Sequence, residues 1–192
     1  MEMKENREIL ILVAAYCLLL LVMFILPYYS APEYSIIRNT LSQLGAQNTQ
    51  NAWIMNFTFV SLGIGSIIAG WRYFEGFAFQ RLFLILFGIS FTLAAFYNHA
   101  PINTITQFKI SEDGWHSYFI FITGLTFIIL TVSSSFIPEK QADKILAIVA
   151  GVSVLFLSVL MSKAIQTAGV WQRLSFIILF GWMIYSFKTM EL

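Results

Sequence analysis

The sequence predicts an all-α membrane protein: six transmembrane helices in one bundle, with a short amphipathic segment after the first. Three observations predict it. Hydrophobic residues make up 58% of the 192-residue chain and charged residues only 11%, well outside soluble norms. Six apolar runs recur, each near the ~20 residues that an α-helix needs to cross the hydrocarbon layer. No aspartate or glutamate interrupts any of them. Nothing is left over for a soluble domain, so a single domain over 1–192 is expected.

The first run, 9–26, follows a charged head containing Lys4, Arg7 and Glu8. A cleavable signal peptide ends in small residues. Here Pro27-Tyr28-Tyr29-Ser30 follows, and paired tyrosines suit a membrane–water boundary, so a retained helix is expected. The other runs cover about 53–70, 82–97, 116–136, 145–161 and 174–187. The third and sixth are short by strict count, and flanking Phe77, Phe79 and Trp171 extend them. In the second, Gly63 and Gly65 with Ser61 and Ser66 permit close approach of neighbouring helices. Cys17, the single cysteine, lies inside the first run and supplies neither an intramolecular disulfide nor a metal cluster. With a net charge of +1 and charges scattered singly, the chain has no basic stripe for nucleic acid; membrane lipids are the expected partners. The sequence specifies no oligomeric state.

Lys4, Arg7, Arg72, Arg81, Lys140, Lys144 and Lys188 fall at one set of helix ends, Arg38, Lys109, Lys163 and Arg173 at the other. The positive-inside rule then places both termini in the cytoplasm of a plasma-membrane protein. Under that topology the two longest connections, 27–52 and 98–115, are exoplasmic.

The first of these carries a polar stretch, 34–45, in which Ile37, Leu41 and Leu44 recur at helical spacing and Gly45 ends the pattern. An amphipathic interfacial helix is expected. It can be an ordinary surface helix, but Arg38 beside Asn39 and Ser42 offers a fork of donors and neutral hydrogen-bonding groups suited to phosphate or carboxylate. The second connection carries both histidines, His99 and His116. Asp113, three residues before His116, can cap the fourth helix while His116 turns inward; capping is the plain explanation of the aspartate. Arg173 enters the sixth helix from the same side and needs water, headgroups or a partner, with Asp113 the nearest carboxylate.

Three chemistries fit these residue types. Serine hydrolysis would use Ser42 as nucleophile, a histidine as base and Asp113 as orienting carboxylate, although no Gly-x-Ser-x-Gly elbow is present. A metal site would draw on His99, Asp113 and His116, without a His-x-x-x-His or cysteine pair to support it. A haem would lie between His99 and His116.

Gly169-Val170-Trp171-Gln172-Arg173 completes a wider pattern. Together with Arg38-Asn39-Thr40-Leu41-Ser42-Gln43-Leu44-Gly45 and Gly114-Trp115-His116-Ser117-Tyr118-Phe119, it resembles, over essentially the whole chain, a bacterial and archaeal six-helix family known as domain of unknown function 998. Gln172 stands where that family often has glutamate, and His99 where relatives more often carry a proline-containing turn. Ser42-Gln43-Leu44-Gly45 and the helix-four histidine are also similar to eukaryotic six-helix proteins of GPI-anchor lipid remodelling, damage-regulated autophagy and plasma-membrane lipid asymmetry. That similarity implies work at a lipid headgroup.

The expectation is therefore an exoplasmic polar pocket binding a lipid headgroup or other amphiphilic anion through Arg38, Asn39, Ser42, Asp113, His116 and Arg173, with no cofactor. A lipid hydrolase using Ser42, Asp113 and His116, and a haem protein, are the alternatives.

Overall fold

The computed structural model describes residues 7–189 apart from 104 and 106. Lys4, counted above among the basic residues of one end, lies outside the described residues. So does Thr104 of the second long connection.

Among the described residues seven α-helices follow in chain order: α1 (Arg7–Ile25), α2 (Leu41–Leu44), α3 (Ala52–Tyr73), α4 (Ala78–Phe96), α5 (Ile110–Ser134), α6 (Gln141–Lys163) and α7 (Ala168–Thr189). All but α2 are long and apolar enough to cross a membrane. The chain is an integral membrane protein. The helices outrun the apolar runs because polar first turns are helical too: α5 begins at Ile110, and α7 begins at Ala168, ahead of the first purely apolar stretch.

Neighbours in sequence pack as neighbours in space, and α7 returns to touch α1 and α3. The least apolar span, that of α7, is also the most enclosed. In it 56% of the apolar window is buried, against 28% in α6. A helix that buries more of its surface against its neighbours needs less apolar surface toward lipid. Phe176 and Phe180 of α7 meet Phe59 of α3, Phe87 and Phe91 of α4 and Tyr16 of α1, while Trp182 meets Phe127 of α5. Lipid tails are as apolar as these side chains, so close van der Waals packing rather than water exclusion holds the centre.

Small residues allow that closeness. A Cβ on Gly63 would meet the Gly88 carbonyl, and one on Gly88 the Gly63 carbonyl, so α3 and α4 touch backbone to backbone. Gly151 of α6 lies against the Thr131 side chain of α5. Above this contact α5 and α6 part, and a cleft opens toward the end of the bundle that carries 34–45.

At the opposite end, besides basic anchors and short turns, a cavity of about 440 Å³ lies among Glu8, Ile67, Trp71, Arg72, Glu75 and Arg81. Asp143 is buried at the start of α6 and accepts a hydrogen bond from the Tyr185 hydroxyl of α7 at 3.0 Å. It begins the buried stripe continued by Ala147, Ala150, Val154 and Leu157, a helical spacing present in the sequence.

Candidate functional site

Segment 34–45 is held by its own side chains. Asn39 Oδ1 accepts the Ser35 N–H at 2.8 Å, and Asn39 Nδ2 donates to Gln43 Oε1 at 3.1 Å. Gln43 Oε1 also accepts the Thr40 N–H at 2.9 Å, the return half of a capping box. The helical turn is therefore confined to α2, with Leu41 and Leu44 fully buried and Gly45 closing it. The segment is tucked into the end of the bundle instead of lying along its surface, while Ile37 stays exposed.

Arg173 anchors this segment to α7. Its side chain is buried, and its guanidinium donates to the carbonyls of Ile36 (2.8 Å), Asn39 (3.1 Å), Gly169 (2.9 Å) and Met23 (3.4 Å) and to the Tyr34 hydroxyl (2.8 Å). These contacts use its fixed fork of donors against oxygen dipoles. The pairing with Asp113 expected from sequence is not formed. Gly169 makes the approach possible, because a Cβ there would overlap the carbonyl oxygens of Ile36 and Asn39. Next to Arg173, Gln172 accepts the Leu41 N–H through its side-chain oxygen, satisfying the first amide of α2.

The second connection is fastened by a residue that the sequence did not advertise. Buried Gln47 donates to the carbonyls of Asn98 and Lys109, both at 3.0 Å, and accepts the Lys109 N–H at 2.8 Å. Asn56 adds a bond to the Asn98 side chain at 3.0 Å. Asp113 accepts the Ala100 N–H at 2.7 Å, with His99 Nδ1 3.6 Å away, so it holds the preceding loop and not the first turn of its own helix.

His116 is 3% exposed. Its Nδ1 lies 2.7 Å from the Ala94 carbonyl and 2.9 Å from that of Tyr97. Both are acceptors at the C-terminal end of α4, so Nδ1 carries the proton and caps that helix. Nε2 is then a bare lone pair. It is buried and meets no hydrogen-bond donor among the described residues.

Two cavities meet here. One, of about 450 Å³, runs down between α5 and α6; Thr40, Ser42, His99, His116, Ser117 and Gln172 line its upper part and Phe121, Leu125, Ile128 and Leu155 its apolar lower part. The other, of about 490 Å³, opens above it between Arg38, Asn39, Gln43, Glu33, Gln166 and His99. Thr40 and His99 line both.

The fold thus brings Ser42 and His116 into one cavity and Arg38 and Asn39 into the adjoining one, with His99 between. Asp113 and Arg173 line neither and bind backbone instead. The hydrolytic relay does not assemble as expected, since carbonyls, not Asp113, orient His116. Among the described residues no three His, Cys, Asp or Glu side chains are placed to hold a metal ion. The His99 and His116 rings stand edge to face with centroids 5.4 Å apart, in direct contact, leaving no slot for a porphyrin between them.

A family model described as a protein of unknown function, DUF998, matches residues 13–187. The chain belongs to the DUF998 family. No curated protein and no solved structure matches it. In this DUF998 chain the three motifs that carry the resemblance, 38–45, 114–119 and 169–173, converge at one end of the bundle. Gln172 there supplies the acceptor that a carboxylate would supply, without the charge.

Proposed function

We propose that this protein binds an anionic amphiphile, such as a membrane lipid, at the exoplasmic face of the plasma membrane, with both termini cytoplasmic. The observation that carries the reading is the junction of the two cavities at Thr40 and His99. A polar chamber holding an exposed arginine opens directly into an apolar cleft, which is the profile of a headgroup joined to a chain. Arg38 has no ion-pair partner among the described residues, so its guanidinium is available to a phosphate or carboxylate. The cleft follows α5 from Ser117 to Ile128, about 17 Å at the helical rise of ~1.5 Å per residue, close to half of the ~30 Å hydrocarbon layer. A chain from one leaflet fits along it.

The test is native mass spectrometry of gently extracted protein, followed by titration with vesicles of anionic and zwitterionic lipid. Co-purification of an anionic lipid, weakened by Arg38→Ala, is the expected result; binding indifferent to headgroup charge and to Arg38 would sink the reading. A second reading, a lipid hydrolase, is favoured by one observation: His116 and Ser42 line the same cavity. Breakdown products in the extracted sample, absent from Ser42→Ala, would select it.

A further inference from the structure

We infer that the cavity at the opposite end of the bundle is a second site, which takes a phosphate ester carrying a primary ammonium in the form of a phosphatidylethanolamine headgroup. Arg72 and Arg81 meet the phosphate, Glu8 and Glu75 the ammonium. The inference is independent of the binding proposal above.

At about 440 Å³ the cavity lies within the ~300–1,000 Å³ range of small-ligand sites. It is built where three spans end: Glu8 stands in the first turn of α1, Ile68, Trp71 and Arg72 in the last turns of α3, and Arg81 in the first turn of α4, with Glu75 in the turn between. Arginines and glutamates thus line one opening in equal number, yet they do not pair with one another. Among the described residues the ion pairs are those of Lys109 with Glu112 and His99 with Asp113. Opposite charges that surround a cavity and leave each other free are complementary to a ligand that bears both signs. A purely anionic ligand would satisfy the arginines but would also meet the carboxylates, and like charges brought together are unfavourable.

Arg81 is already oriented for an anion. Its Nε donates to the Trp71 carbonyl at 3.0 Å and its guanidinium lies over the Trp71 ring, 4.8 Å from the centroid, so the Nη groups are left without a partner among the described residues. The helix supports the same sign. No acidic residue stands in the first turn of α4 and Phe77 supplies no side-chain cap, so the positive end of the helix dipole carries a cation where an anion is the stabilising charge. Trp71 also bears on the choice of ammonium. A quaternary ammonium is recognised by open aromatic faces, and Arg81 occupies one face of this ring, whereas a primary ammonium is recognised by carboxylates that accept its N–H groups. Ile68 and Trp71 are exposed at the end of a span, where the glycerol and chains of a lipid gain apolar contact that a soluble ester does not.

The test titrates the full Arg38→Ala chain in detergent, a background in which anion binding beside 34–45 is weakened. The probes are dihexanoyl phospholipids with ethanolamine, choline and glycerol headgroups, and glycerophosphoethanolamine, which lacks chains. The ethanolamine lipid should bind about tenfold more tightly than the other two lipids, the worth of one charge-assisted hydrogen bond. Adding Glu8→Gln and Glu75→Gln together should abolish that preference, and adding Arg72→Gln should weaken all three lipids by a similar factor. None of these side chains is buried, so the variants should melt with their parent. A preference for choline or glycerol, an ethanolamine preference that survives the paired glutamine variant, affinities indifferent to Arg72, or no saturable binding would each overturn the inference. Glycerophosphoethanolamine bound as tightly as the lipid would overturn the lipid assignment in favour of a soluble ester.

Discussion

Arg173 Nη2 donates to the Tyr34 hydroxyl at 2.8 Å, and that hydroxyl faces the carbonyls of Asn39 and Thr40 at 3.1 and 3.0 Å. The phenol therefore carries the arginine's hold on α7 into the segment that forms the roof of the site. Burial raises its pKa above the ordinary 10.0, with the Arg173 guanidinium pulling the other way. The sign follows from linkage. With the folded value above the unfolded one, the folded state keeps its proton longer, so the contribution of Tyr34 is complete below about pH 10 and fades as pH rises through the folded value. Tyr34→Phe should cost about 1–3 kcal/mol near neutral pH, by the loss of these bonds. The gap between wild type and variant should narrow above about pH 10, read from detergent unfolding curves across that range. A gap unchanged by alkali would contradict it.

Gly169→Ala should destabilise although alanine is the better helix former by ~1 kcal/mol. The added methyl overlaps the Ile36 and Asn39 carbonyls that Arg173 gathers, so the clamp must open. A loss of about 1–3 kcal/mol is expected, the usual cost of overpacking. Proteolysis between α1 and α3 should accelerate at the same time. A melting point equal to or above wild type would show that the approach is not tight.

Arg38→Ala should separate binding from stability. The side chain is exposed, so unfolding should shift by no more than about 0.5 kcal/mol. Affinity for an anionic amphiphile should fall by about tenfold at low ionic strength, with the difference shrinking as salt screens the contact. An unchanged affinity at low salt would remove Arg38 from the site.

Gly124→Leu should block the cleft without harming the bundle. A Cβ at Gly124 meets nothing within 4 Å, and the residue lines the cavity between α5 and α6. The variant should melt close to wild type and lose chain-dependent affinity by about tenfold, roughly the worth of two methylenes of contact. Retained affinity for long-chain probes would place the chain elsewhere.

Much of the candidate site was legible in one dimension because charged and hydrogen-bonding groups cannot sit unpaired in hydrocarbon. Arg38, Asn39, Ser42, Asp113, His116 and Arg173 all had to lie near one face or find partners, and 34–45 with its glycine end stood out between apolar runs. What each residue does there was not legible. Arg173 read as a ligand-binding cation and Asp113 as a helix cap or orienting carboxylate, yet both are bound to backbone of other segments. Gln47 gave no sign at all: a lone glutamine in a polar loop has no pattern, and only its three side-chain hydrogen bonds across the connections mark it.

By itself the sequence determined the number of spans, since ~20 apolar residues without acid have one stable way to exist in a bilayer, as hydrogen-bonded helices. It also determined which end gathers the polar residues. Only the tertiary structure decided that the least apolar span is the most enclosed one, that α5 and α6 part above Gly151, and that His116 turns Nδ1 to the α4 carbonyls while lining the cavity beside Ser42. Those facts depend on which helix faces meet, and that is set by close packing of small and aromatic side chains over long sequence separations, which no local pattern encodes.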